Sequence, residues 1–170
     1  MWFKYLLITL IFYIFTLLQI SFLPYVTMIN LMPNFIFTLF FILIFFDEKN
    51  ERFFTALIAG FFLDLLLPFY FGVSIISILV IYFLHKLINY FFKKDQNKYL
   101  IFYFITIFSI SFILYNLLLY LFSIIFHFGF ILGWNIMMSL IYNLIFAIIG
   151  FYTYKKFVKQ NDPENQLKLL

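Results

Sequence analysis

Long apolar runs broken by short polar gaps organise this chain. Apolar stretches cover residues 4–23, 31–46, 53–67, 71–92, 99–126 and 130–154. A membrane-crossing helix needs about 20 apolar residues, with a range of roughly 17–25. The first, fourth, fifth and sixth stretches reach that length and the second and third are short. Pro24 and Pro33 bracket the gap before the second stretch, and Pro68 ends the third. Proline removes a backbone donor and disfavours helix in the residue before it, so each marks a helix boundary. The pattern predicts an all-α membrane protein of six transmembrane helices over residues 1–158, followed by a short polar tail at 159–170.

The charges in the gaps set the orientation. The gaps at 24–30, 68–70 and 127–129 carry no charged residue, whereas 47–52 reads Asp-Glu-Lys-Asn-Glu-Arg. Lys86, Lys93, Lys94 and Lys98 flank the next polar gap, and Lys155, Lys156, Lys159 and Lys168 follow the last stretch. With Lys4, Lys49 and Arg52, all 11 basic residues fall on one side of a six-span arrangement. Short loops rich in Lys and Arg stay cytoplasmic, so both termini are expected inside (N-in/C-in). Omitting one span would put Lys4 and the tail on opposite sides. The first stretch is expected to be a span and not a cleavable signal, because it exceeds an apolar region of about 7–15 residues.

Composition agrees with lipid as the solvent. Hydrophobic residues make up 66% of the chain and charged residues 11%, against about 45–50% and about 25% in ordinary globular chains. A small soluble domain leaves too much surface exposed to hide that excess. The 30 Phe and 13 Tyr, alongside abundant Ile, Asn and Lys, have the look of codon bias, and are expected to fill lipid-facing positions. The net charge of +4 does not form one basic surface, so nucleic acid is not an expected partner. Without cysteine, thiolate chemistry is excluded. His85 and His127 fall at opposite ends of their spans and cannot share a metal. No cofactor or metal is expected. Trp2 and Trp134 sit near span ends, as interfacial aromatics do.

Polar residues inside the spans are the candidate functional positions. Asp64 is the one acid of seven outside the polar gaps and tail. An ionisable group at membrane depth costs at least about 2.5–3.5 kcal/mol, so it faces protein or water. Ala56, Gly60 and Asp64 repeat every four residues and share one helix face. Small residues at that spacing let another backbone come close. In the sixth span Asn135, Ser139, Asn143 and Ala147 form a second stripe. In the fifth, Ser109, Asn116, Tyr120, Ser123 and His127 form a third. These stripes supply the expected partners of Asp64. One reading is a proton or substrate site lined by Asp64, Asn116 and Asn143. The other, favoured here, is a hydrogen-bonded clamp that fixes helix packing, because a proton-driven carrier uses several ionisable groups and only one lies in a span. A clamp predicts that Asp64→Asn is tolerated. Phosphate-binding loops, nucleophile elbows, zinc-protease motifs and paired carboxylates are all missing from the sequence, so an enzyme is not expected.

The segment Ala59-Gly60-Phe61-Phe62-Leu63-Asp64-Leu65-Leu66, followed by Pro68 and Phe71-Gly72-Val73, resembles the MreD family of rod shape-determining membrane proteins. That family reads G-x-x-x-D-L-L, a short turn and a glycine before the next span. Pro33-Asn34 is similar to the family's Pro-Asp at the start of the second span, with Asn34 in place of the acid. The motif covers residues 59–73, while length and six-span topology extend over most of the chain.

The resemblance implies a non-enzymatic scaffold of the elongasome in the bacterial inner (cytoplasmic) membrane. Such a protein binds MreC and, through it, MreB, RodA and a class B penicillin-binding transpeptidase, positioning peptidoglycan synthesis along the side wall. It also implies a fold similar to the S components of energy-coupling-factor transporters, so a vitamin-binding S component is the alternative function. Those proteins carry an Ala-x-x-x-Ala pattern on the first helix and a lid of outer loops. Residues 1–23 contain neither Ala nor Gly, and the outer gaps are short, which favours the scaffold.

Overall fold

The computed structural model describes residues 2–21, 33–46, 52–66, 70–91, 100–127 and 134–159. They form six α-helices: α1 Trp2–Ser21, α2 Phe35–Phe46, α3 Arg52–Leu66, α4 Val73–Phe91, α5 Leu100–Phe126 and α6 Trp134–Lys159. Each apolar stretch of the sequence holds one helix, and no strand occurs among the described residues. Pro24, Pro68, the tail beyond 159 and the side chains of Trp2 and Trp134 lie outside what is described.

Helix ends depart from the apolar runs where capping residues intervene. The second begins at Phe35 and not at 31, because Pro33 and Asn34 stay outside it and Asn34 caps its first turn. The fourth begins at Val73 and not at 71, because Gly72 holds φ at 105°. The fifth stops where His127 turns to φ 56°, the left-handed cap that ends many helices. The sixth runs on to Lys159, beyond the expected 154. Two helices, over Leu100–Phe126 and Asn135–Lys156, are long and apolar enough to cross a membrane, and the others are shorter apolar helices.

The short α2 is the centre of the bundle. Ile36, Phe37, Phe40, Phe41, Ile44 and Phe45 are all buried, as is Thr38 between them. A helix that is apolar all round must be covered all round. Around it α1, α3, α4, α5 and α6 follow one another as an arc, and α2 packs directly on α1, α3 and α6. The α5 face that meets α2 is aromatic. Phe37 meets Phe112 with ring centroids 5.4 Å apart, Phe41 meets Phe108 at 5.2 Å and Phe45 meets Phe104 at 4.9 Å, each edge to face. Such pairs add about 0.5–1.5 kcal/mol beyond their buried area. Many phenylalanines therefore build the core, where the sequence pattern assigns them to lipid.

Apolar and polar positions are partly inverted relative to a water-soluble bundle. Leu6, Leu10, Ile14, Val80, Phe83, Ile110, Leu117, Leu121, Ile141, Ile145 and Ile149 are exposed, while Thr55, Asp64, Ser74, Ser77, Ser111 and Asn143 are buried.

Candidate functional site

The residues of the Gly60–Gly72 motif act together at the hairpin of α3 and α4, which are in intimate contact. Gly60 sits against the first turn of α4. A Cβ built on it would lie 2.6 Å from the Ile75 α-carbon, closer than real Cβ atoms come. Only glycine admits this approach.

One turn later, Asp64 is buried at the N-terminus of α4. The first N–H groups of any helix lack partners within the helix. Here Gly72 N–H donates to Asp64 Oδ2 at 2.8 Å, Ser74 N–H to Oδ1 at 2.7 Å and Ile75 N–H to Oδ2 at 3.3 Å. Val73 N–H reaches the Tyr70 carbonyl at 3.4 Å, and Ile76 N–H then makes the first regular bond to the Gly72 carbonyl. Every N–H from 72 to 76 is thus accounted for. A carboxyl group also suits this position electrostatically, because aligned peptide dipoles leave a partial positive charge at a helix N-terminus. The Gly72 φ of 105° aims its own N–H at the carboxyl, a conformation L side chains rarely adopt. The phenol of Tyr115, on α5, is buried against Ser74 beside this cap.

A second cap closes the N-terminus of α2 with side chains from α1 and α6 and from Asn34. Asn34 N–H donates to Asn143 Oδ1 of α6 at 2.7 Å, and Phe35 N–H donates to Gln19 Oε1 of α1 at 3.1 Å. Phe37 N–H donates to Asn34 Oδ1 at 2.9 Å, the usual N-cap bond. An amide oxygen does this as well as a carboxylate, so Asn34 retains a capping role. The Thr38 hydroxyl reaches both the Asn34 carbonyl and Asn143 Oδ1. Asn143 Nδ2 donates to the Ser139 carbonyl at 2.7 Å and to Ser139 Oγ at 3.2 Å. The Asn143 side chain, fully buried, is thereby bonded at both ends.

The expected cluster of Asp64, Asn116 and Asn143 does not form. Asp64 takes its hydrogen bonds from the α4 backbone, and Asn143 serves α2. Asn116 is half-buried, and its Nδ2 donates to the Phe112 carbonyl of its own helix at 2.8 Å. The buried polar positions of α5 are Ser111, Tyr115 and Ser123, so the expected stripe through Ser109 and Asn116 runs along the flank of that face. The α6 stripe is graded: Asn135 is exposed, Ser139 half-buried, and Asn143 and Ala147 fully buried. Ala56 is fully buried, so the Ala56–Gly60–Asp64 face is spent on internal packing. Pro33 is buried ahead of α2, and Pro68 lies outside the described residues. His85, expected at the end of the fourth span, is buried against the rings of Phe41 and Phe45.

Sequence pattern alone does not single out Gln19, Thr38 or Tyr115. A signal for the α2 cap is nevertheless present, since Asn immediately before an apolar helical run is an N-cap signature. No group of three or more His, Cys, Asp or Glu able to hold a metal occurs among the described residues. Comparison of the chain with protein-family models, with curated proteins and with solved structures finds no match.

Proposed function

We propose that the chain is a multi-pass protein of the bacterial inner membrane, with six spans and both ends in the cytoplasm, acting as an MreD-like scaffold of the wall-elongation complex. Its apolar exterior and buried polar residues support lipid as the solvent, because soluble monomers rarely expose apolar patches beyond a few hundred Å². The internal caps support it too. Backbone donors in a bilayer have no water to fall back on and must be satisfied by protein. The 12 residues of α2 span only about 18 Å at 1.5 Å per residue, less than a hydrocarbon core of about 30 Å. One end of α2 then lies at depth, which explains why α1 and α6 both contribute side chains to its cap. The inside-positive loop charges give the orientation.

The observation that carries the scaffold reading is the engagement of Asp64. Both oxygens of the one acid within the apolar stretches accept backbone N–H groups, so the residue closes a hairpin and holds no substrate. Gly60, Asp64 and Gly72, the residues that carry the resemblance to the MreD family, serve the same architectural end. Because Ala56 and Gly60 face inward, the lateral faces of the outer helices remain for the span of MreC and for the complex that includes MreB, RodA and a class B transpeptidase.

The test is capture of the tagged protein in mild detergent with mass-spectrometric identification of its partners. Recovery of MreC with wall synthases is the expected result. Recovery of paired ATPases with a transmembrane coupling subunit would instead establish the S component of a small-molecule transporter.

A further inference from the structure

Among the described residues, the arc of helices around α2 is open between α1 and α6. The opening is a groove of about 530 Å³ floored by Leu39 and Ile42 of α2 and walled by Phe15 on one side and Phe146, Ile149 and Thr153 on the other. Its volume falls within the range of about 300–1,000 Å³ typical of small-molecule sites. From Phe146 to Tyr154 it follows α6 over eight residue steps, or about 12 Å at 1.5 Å per step.

We propose that this groove binds an acyl chain of an anionic glycerophospholipid from the cytoplasmic leaflet, with its headgroup phosphate at Lys156 and Lys155. The inference rests on the membrane reading above. The shape of the walls selects a chain over a helix. Close approach of a second helix needs small residues along the contact, whereas Phe15, Phe146 and Ile149 are bulky. The one glycine, Gly150, has its Cβ space already taken by the Ile42 side chain. A flexible chain can thread between such side chains. Charge selects the headgroup. Lys156 lies one helical turn beyond Thr153, flanking the end of the groove, and both Lys155 and Lys156 are exposed. A lysine there can lay its stem on apolar surface and lift its ammonium to phosphate depth.

The experiment is native mass spectrometry of the full chain in detergent, titrated with phosphatidylglycerol or phosphatidylcholine. Phosphatidylglycerol is expected to bind more tightly. Lys155→Gln with Lys156→Gln should weaken phosphatidylglycerol about fivefold per lysine, given about 1 kcal/mol for each basic group at a membrane surface, and leave phosphatidylcholine unchanged. Ile149→Trp fills the groove from a position 54% exposed, so it spares the core and should weaken both lipids. Thr153→Trp, also exposed, repeats that test independently. Equal binding of the two lipids to the wild-type chain would overturn the proposal, as would unchanged binding in both tryptophan variants. Dimers that Ile149→Trp dissociates, without lipid preference, would overturn it in favour of a second copy. A failed membrane reading appears separately, as chain released from cell membranes by alkaline washing without detergent.

Discussion

Gly60 and Ile75 bring α3 and α4 together so closely that a single methyl group at residue 60 would stand 2.6 Å from the Ile75 α-carbon. Helix propensity and packing therefore oppose each other at this position. Replacing an interior helical glycine by alanine ordinarily gains about 0.8–1.0 kcal/mol, whereas overpacking a tight contact costs about 1–3 kcal/mol. The obstacle is backbone, which cannot rotate aside, so packing wins. Gly60→Ala should lower stability and Gly60→Val should lower it further, read as the midpoint of chemical unfolding in detergent.

Gly72 should respond differently. No atom lies within 4 Å of a Cβ built there, so side-chain size is irrelevant and backbone strain at φ 105° is the whole effect. Forcing an L residue into left-handed space costs about 1–2 kcal/mol. Gly72→Ala and Gly72→Ser should therefore lose similar amounts in the same unfolding assay. A graded loss with side-chain size would contradict this.

Asn143 holds the other cap. Removing its oxygen strands the Asn34 N–H, and a buried unsatisfied group costs about 1–3 kcal/mol. Thr38→Val removes only one contributor to the same oxygen. Asn143→Leu should thus destabilise clearly more than Thr38→Val, and Gln19→Leu, which strands the Phe35 N–H, should resemble Asn143→Leu.

The six-span orientation can be checked directly because the chain contains no cysteine. A single cysteine introduced at Asn97 should resist an impermeant maleimide in intact cells and react once the membrane is opened. Reaction in intact cells would overturn the orientation.

How far the sequence carried the fold varied with the kind of information needed. The apolar runs located the six helices of the described residues, since length and hydrophobicity are local properties. Helix starts were less legible because caps fix them: Asn34 delays α2 and Gly72 delays α4, beyond what apolarity registers. Asp64, Gly60 and Asn143 stood out as buried polar or small residues at helical spacing. Of the partners of Asp64, Gly72 was marked by the family resemblance alone, and Ser74 and Ile75 were not marked at all, because they meet it through backbone N–H groups, which leave no trace in side-chain identity. The phenylalanines misled for a related reason. Core and lipid are equally apolar, so Phe37 or Phe108 cannot be told from Phe83 or Phe102 by chemistry, only by packing.

The central claim is that Asp64 serves as the cap of α4, and an Asp64 series tests it most directly. Because the two carboxyl oxygens accept from different N–H groups, the geometry revises the expectation that asparagine is tolerated. An amide keeps one acceptor and turns its own NH2 toward backbone donors. The measurement is the unfolding midpoint of the wild type, Asp64→Asn and Asp64→Leu in detergent, paired with capture of the proposed partner, MreC, per unit of folded protein. The account predicts midpoints falling in that order, with about 1–3 kcal/mol lost at the asparagine step, and unchanged capture per folded molecule. A wild-type midpoint for Asp64→Asn together with lost capture would contradict it and assign Asp64 a charge-dependent role in binding the proposed partner.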